Sequence, residues 1–217
     1  MDLFFLDSAE PADVRNAAAT GLVSGVTTNP TILQSAAPST PPMSHLLSLF
    51  DLFPVGPIFY QVHARDAQAA HTQVDGLTRQ LGDEARRLVV KLPAQPEWFS
   101  FGAHLSQQGL RVAFTAVYHP GQMLAATQAG ASFVIPYVDR ASRLRPEAVD
   151  VVTQLSAFTT PSSPRILAAS IKSSDQALAA FTNGAHAITT TWAVLESLMS
   201  DDLTDSAIDQ FRTAVPL

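Results

Sequence analysis

Eight short runs rich in apolar and β-branched residues alternate with amphipathic stretches along the whole chain. The strand candidates are Leu3 to Asp7, Gly25 to Asn29, Ile58 to Val62, Leu88 to Pro93, Val112 to Val117, Phe133 to Val138, Ile166 to Ser170 and Ala187 to Thr191. Between them the spacing predicts helices over Pro11 to Thr20, Met43 to Phe53, Asp66 to Leu81, Glu97 to Gln108, Pro120 to Ala129, Pro146 to Phe158, Ser174 to Thr182 and Trp192 to Met199. A further helix at Asp205 to Thr213 closes the chain. Strict alternation of this kind suits a closed parallel barrel first and an open doubly wound sheet second. The expectation is an α/β protein, a (β/α)8 TIM barrel with an extra C-terminal helix. At 217 residues the chain sits near the lower end of the barrel size range, so residues 1–217 are read as one domain.

Local chemistry marks the boundaries. Pro11 and Pro120 fall in first helical turns, while Gly21, Gly130 and Gly184 stand where helices should stop. Ser35 to Pro42, with three prolines, reads as a loop.

Composition then excludes several classes of function. No apolar run reaches the roughly 18 residues of a membrane span. The opening Met1-Asp2-Leu3-Phe4-Phe5-Leu6-Asp7 carries no basic leader, so neither signal nor transit peptide is expected and a cytoplasmic location follows. The absence of cysteine removes disulfides, thiol nucleophiles and thiolate metal sites. A net charge of −6 without a basic run argues against nucleic acid and anionic membranes as partners. Of the 13 basic residues only Lys91 and Lys172 are lysine, so arginine carries the solvated charge and each lysine needs its own explanation.

In a parallel barrel, strand residues alternate between interior and helix layer, and ligands bind at the carboxyl ends of the strands. With Lys91 inward, Val89 is inward too, and Leu88, Val90 and Leu92 face the helices. The other inward sets are Phe5 and Asp7, Thr27 and Asn29, Phe59 and Gln61, Ala113 and Thr115, Ile135 and Tyr137, Ala168 and Ser170, and Thr189 and Thr191. Each run ends in an inward polar group. Strand ends approach solvent, which alone would favour polar residues there. An acid, amides, an amine, hydroxyls and a phenol converging on one mouth nevertheless make a candidate site.

Lys91 is the sharpest feature, an amine embedded in Leu88-Val89-Val90-Lys91-Leu92-Pro93. A structural lysine would snorkel to the rim or pair with a carboxylate. Burial instead lowers an ammonium's pKa and frees the amine for attack on a carbonyl. Lys172, just past strand seven, is better placed to meet an anion, and the segment Ser170 to Ser174 opens a helix whose free N–H groups favour phosphate. Arg140 is positioned to join it. The six histidines show no metal-ligand spacing and are assigned to loops or exposed helix faces. No metal or cofactor is expected, and phosphate-loop, dinucleotide and nucleophile-elbow motifs are missing. The stripe Leu46, Leu47, Phe50 and Leu52 reads as core packing, and Arg143 and Arg145 read as solvated.

With these residues in view, the chain resembles the small transaldolase family, and within it the fructose-6-phosphate aldolases. Phe4-Phe5-Leu6-Asp7 and Gly25-Val26-Thr27-Thr28-Asn29-Pro30 match the first two strands, and Val89-Val90-Lys91-Leu92-Pro93 falls on the Schiff-base lysine. Thr115-Ala116-Val117-Tyr118, Pro136-Tyr137-Val138-Asp139-Arg140 and Leu167-Ala168-Ala169-Ser170-Ile171-Lys172 continue the match in family order, from about Leu3 to Phe211. The resemblance implies a class I aldolase in which Lys91 forms an imine with C2 of a ketose phosphate and Asp7 takes the C4 hydroxyl proton. Gln61, Thr115 and Tyr137 would hold and activate water. Asn29 would position hydroxyls of the three-carbon unit, with Thr27 beside it as a further substrate contact. Arg140, Ser170 and Lys172 would hold phosphate.

True transaldolases carry Glu where Gln61 stands and Phe where Tyr137 stands, so the expected reaction is cleavage of fructose 6-phosphate to dihydroxyacetone and glyceraldehyde 3-phosphate. Transfer of the dihydroxyacetone unit between sugar phosphates is the alternative, and a non-catalytic sugar-phosphate-binding barrel is the reading from outside enzymology. Departures from the family pattern include Gln95 and Trp98, whose indole is expected to narrow the mouth or change the acceptor, Ala141 to Arg145 in place of a Gly-rich loop, and Thr190-Thr191 in place of Leu-Pro. The tail ending Ala214-Val215-Pro216-Leu217 is short. In the family that tail packs between subunits, which implies a homo-oligomer, a pentamer or decamer.

Overall fold

A computed structural model describes residues 2–214. Its strands are β1 (Phe4–Asp7), β2 (Val23–Thr27), β3 (Ile58–Gln61), β4 (Leu88–Pro93), β5 (Arg111–Val117), β6 (Phe133–Pro136), β7 (Arg165–Ala168) and β8 (Ala187–Thr190). The helices are α1 (Pro11–Thr20), α2 (Pro30–Ala36), α3 (Pro42–Leu52), α4 (Ala67–Leu81), α5 (Pro96–Gln107), α6 (Pro120–Gln128), α7 (Val138–Leu144), α8 (Val151–Ser156), α9 (Ser174–Thr182), α10 (Trp192–Leu198) and α11 (Asp202–Ala214), with a 3-10 turn at Gly82–Arg87. The strands pair in sequence order, all parallel, and β8 closes on β1. This is a (β/α)8 barrel. Among the described residues no helix is long and apolar enough to cross a membrane.

Two apolar cores follow from the alternation of strand side chains. The larger lies between strands and helices and takes Leu6, Val26, Ile58, Leu88, Val90 and Leu92 among others. The smaller fills the barrel with Phe5, Phe59, Val89, Ala113, Phe133, Ile135, Leu167, Ala169 and Ala187. Phe5, Phe59 and Phe133 meet edge to face with ring centroids 5.7, 6.1 and 5.1 Å apart, so aromatic rings plug the barrel beneath the carboxyl ends of its strands. Gly25 leaves room for them. A Cβ there would stand 2.9 Å from the Phe5 ring and 2.7 Å from the Pro57 carbonyl oxygen.

Several expectations need correction. β2 runs Val23–Thr27 and stops short of the expected Asn29. Asn29 caps α2, its side chain accepting from the Ile32 N–H at 2.9 Å with Pro30 in the first turn, so the stretch before the loop is helical. Val138 begins α7 rather than ending β6, and the long helix expected from Pro146 is the short α8. The alternation in β7 is out of step by one: Leu167 and Ala169 face the interior, while Ala168 joins the outer core. A strand buried on both faces offers no polar residue to set its phase. Trp98 does not narrow the mouth. It is 7% exposed in the outer core, edge to face with Phe101 at 6.0 Å. His45 is buried, not exposed, with Nε2 donating to the Ala9 carbonyl at 2.8 Å. Thr191 is exposed at the start of α10. The expectation about the last three residues lies outside the described residues.

At the opposite end of the barrel, the Ile166 N–H donates to His186 Nδ1 at 3.0 Å. Burial, with the Arg165 guanidinium adding to it, holds the imidazole below its ordinary pKa. The unfolded chain therefore takes up this proton first, and the stability contributed by the contact is complete above about pH 6.5 and lost as pH falls through the lowered folded value. Thermal melts from about pH 7.5 to about pH 5 should show a smaller loss of Tm on acidification for His186→Gln than for the native chain. Parallel curves would mean that His186 contributes nothing to the pH dependence.

Candidate active site

The carboxyl ends of the strands open into a cavity of about 560 Å³. Nine of the expected residues line it: Asp7, Thr27, Asn29, Gln61, Lys91, Tyr137, Arg140, Ser170 and Lys172. Thr115 stands behind that wall, donating to the Tyr137 hydroxyl oxygen at 3.1 Å. Barrel geometry brings residues distant in sequence together because each ends its own strand or begins the loop after it.

Lys91 follows Val89 on the inner face of β4 and is 3% exposed. Its Nζ donates to the Thr28 carbonyl at 2.8 Å. Desolvation drives its pKa below the ordinary lysine value, and the nearby Asp7 charge opposes that shift only in part. Burial thus disfavours the ammonium form, the direction that frees an amine for attack on a carbonyl.

Asp7 and Tyr137 flank the same space with different proton chemistry. Thr27 Oγ1 donates to Asp7 Oδ1 at 2.7 Å, so the Thr27 proton is committed to the carboxylate rather than to a ligand. Burial raises the Tyr137 pKa, with the Thr115 hydrogen bond pulling the other way. The phenol therefore keeps its proton at neutral pH, and with Thr115 occupying a lone pair, the Tyr137 O–H is free to donate into the cavity. The Arg140 guanidinium lies 4.8 Å from the Tyr137 ring centroid. Gln61 Oε1 is buried without a hydrogen-bond partner among the described residues, an orphaned acceptor on a residue that lines the cavity. Asn29 spends its Oδ1 on the cap of α2, which leaves its amide N–H groups for a ligand.

The mouth is cationic and braced. Arg140 begins in α7, and Lys172 precedes α9 with its N–H held by Gln176 Oε1 at 2.8 Å. Asp139 links the two helices, accepting from Arg143 Nε at 2.9 Å and Gln176 Nε2 at 3.4 Å. The Arg143 hydrogen bond holds its carboxyl below the ordinary range, assisted by Gln176 and Lys172. Ser170 reaches the cavity because its backbone turns to φ 60°, an uncommon state for a residue other than glycine. Ala116, at φ 57°, marks the bulge that returns Val117 to the outer core after inward Thr115. Pro30, Thr31, Ile32, His63, Ile135, Ala169 and Thr189 complete the lining. Alternation already pointed Thr189 inward. No pattern in the sequence singled out His63. Among the described residues no cluster of His, Asp and Glu has the geometry to hold a metal ion.

The family model described as "Transaldolase/Fructose-6-phosphate aldolase" matches residues 4–215. The chain belongs to the transaldolase/fructose-6-phosphate aldolase family. Two relatives, each described as "Probable transaldolase", are 33% identical over 215 residues. The one from Coprothermobacter proteolyticus aligns with 96% of this chain and 94% of its own length, and the one from Rhodospirillum centenum with 96% and 88%. Among solved structures, the one described as "Native KDPGal structure" superposes with a TM-score of 0.61 at 14% identity over 88% of this chain and 82% of that one. A mandelate oxidase mutant gives 0.61 at 15% identity, covering 89% of this chain and 64% of that one. At such identities these two report the barrel alone. Transaldolase/fructose-6-phosphate aldolase membership makes the chain an enzyme of the aldolase or transferase kind, acting on sugar phosphates.

Proposed function

We propose that this chain is a class I aldolase that cleaves, and in reverse forms, the C3–C4 bond of fructose 6-phosphate through an imine on Lys91. The observation that carries the reading is the Lys91 amine, 3% exposed and lowered in pKa by burial, in one cavity with Asp7, Gln61 and Tyr137. Lys91 adds to the C2 carbonyl and loss of water gives the protonated imine, which serves as electron sink without a metal. Asp7 takes the C4 hydroxyl proton, the C3–C4 electron pair moves into the imine, and glyceraldehyde 3-phosphate leaves an enamine on Lys91. Asp7 returns its proton to C3 through the water held by Gln61 and Tyr137, with Thr115 orienting the phenol, and that water then adds to C2, releasing dihydroxyacetone and restoring the amine. Asn29 donates to hydroxyls of the three-carbon unit. Arg140, Ser170 and Lys172 hold phosphate. The exposed apolar side chains of α11, with Leu203 at 80% and Phe211 at 71%, support a homo-oligomer as the working assembly.

The relatives' descriptions favour a second reading, transaldolase, in which the enamine waits for an aldose phosphate. The two readings divide on Tyr137. A phenol that keeps its proton speeds enamine protonation and hydrolysis, whereas Phe does not. Native protein given fructose 6-phosphate alone should release dihydroxyacetone. Tyr137→Phe should slow that release by on the order of ten-fold while sparing transfer to erythrose 4-phosphate. Both rates belong on the same preparation. Turnover of the native chain only with erythrose 4-phosphate present would make transaldolase the better name.

A further inference from the structure

Beneath the carboxylate that serves as base in the proposed reaction, two threonine hydroxyls form a chain of close contacts leading to it. Thr27 Oγ1 lies 2.7 Å from Asp7 Oδ1 and 2.6 Å from Thr189 Oγ1. Thr27 and Thr189 are 1% and 2% exposed, so neither hydroxyl shares its bonds freely with bulk water. A carboxylate only accepts, and Thr27 has one proton, which must go to Asp7. Thr189 must then donate to Thr27. The direction of these contacts is thereby set, from Thr189 through Thr27 to Asp7, and successive bonds of one sense strengthen each other.

The strand register makes this arrangement. β1 is paired on both sides, with Asp7 opposite Thr27 on β2 and Phe5 opposite Thr189 on β8. Thr189 thus sits about one pleat below Asp7 and joins it through Thr27. Asp7 Oδ1 is occupied by Thr27, while Oδ2 receives no hydrogen bond from the described residues.

We propose that Thr189 is a positioning residue for Asp7, acting through Thr27 to hold Oδ1 and so present Oδ2 to the C4 hydroxyl of the substrate. The proposal rests on the assignment of Asp7 as the base of the cleavage step. Two buried threonines satisfying each other would give the same distances, so the discriminating property is the step that responds. Imine formation with dihydroxyacetone involves no C4 hydroxyl, whereas cleavage of fructose 6-phosphate does.

Thr189→Val removes the terminal donor at nearly constant volume. It should lower kcat for fructose 6-phosphate cleavage by about three- to ten-fold, the worth of one neutral hydrogen bond, with KM unchanged. Borohydride trapping of dihydroxyacetone on Lys91 should proceed at the native rate, and Thr189→Ser should restore kcat. Asp7→Asn, which removes the base, should lose cleavage and keep trapping. Native cleavage by Thr189→Val, or equal losses of cleavage and trapping, would overturn the role of Thr189 while leaving the imine chemistry standing. Failure of the native chain to trap dihydroxyacetone would instead remove the proposed reaction, and the role of Thr189 with it.

Discussion

Replacing Lys91 by methionine should abolish turnover while leaving the barrel intact. Removal of a covalent nucleophile should lower kcat/KM for fructose 6-phosphate by at least roughly 10⁴-fold, because the remaining groups can polarise a carbonyl but cannot supply the electron sink. Stability should not fall with activity. Burial holds the Lys91 pKa below its unfolded value, so at neutral pH the unfolded chain binds this proton more tightly and the native amine costs stability. Methionine removes that cost and fills similar space, at the expense of the hydrogen bond to the Thr28 carbonyl. The melting temperature should therefore be no lower than native. Borohydride reduction of the native chain with dihydroxyacetone should add mass at Lys91, and at neither lysine in the variant. Modification confined to Lys172, or an active enzyme that traps nothing, would remove the imine mechanism.

The second large effect concerns the anion. Arg140→Ala should depress use of glyceraldehyde 3-phosphate as aldehyde partner of dihydroxyacetone by about ten- to a hundred-fold in apparent affinity, the range for a lost charge-assisted hydrogen bond of roughly 1.5 to 3 kcal/mol. Unphosphorylated glyceraldehyde should lose far less. Part of the change will be common to both aldehydes, since the guanidinium also packs on the Tyr137 ring at 4.8 Å. The ratio between the two substrates separates phosphate recognition from that packing. Arg140→Lys should fall between, keeping the charge but losing the planar fork. Equal losses for both aldehydes would make Arg140 a support for Tyr137 and no more.

Site residues and architecture were legible to different degrees. A polar residue closing an apolar run announces itself, and Asp7 and Gln61 stand out at the ends of β1 and β3 for that reason, while Lys91 stands out as an amine inside the apolar run of β4. Tyr137 follows the same rule one position past β6. Ser170 was found by its place after β7 and for an incorrect reason, since the interior alternation assigned to that strand is shifted by one. It enters the cavity through a left-handed backbone turn that no side-chain pattern encodes. Trp98 shows the reverse failure. Its position after β4 brought it near the mouth in sequence, but α5 turns the indole into the helix layer, where apolar area is removed from water.

What the sequence determined by itself is the order of elements and the chemistry available at each strand end. Alternation with period two and helices with period 3.6 are local properties, carried by the residues whatever surrounds them. The tertiary structure decided what those residues do to one another. Thr27 reads in sequence as a substrate contact, yet pairing of β1 with β2 sets it opposite Asp7 and commits its one proton to that carboxylate. Asn29 reads as the end of a strand, yet it stands before α2, its side-chain oxygen capping that helix while the residue lines the cavity. The Lys91 amine is depressed in pKa because the barrel excludes water around it, an effect of enclosure that a six-residue apolar strand cannot produce alone. Hydrogen-bond direction and desolvation depend on which groups meet across strands far apart in sequence, and only the closed barrel brings them within reach.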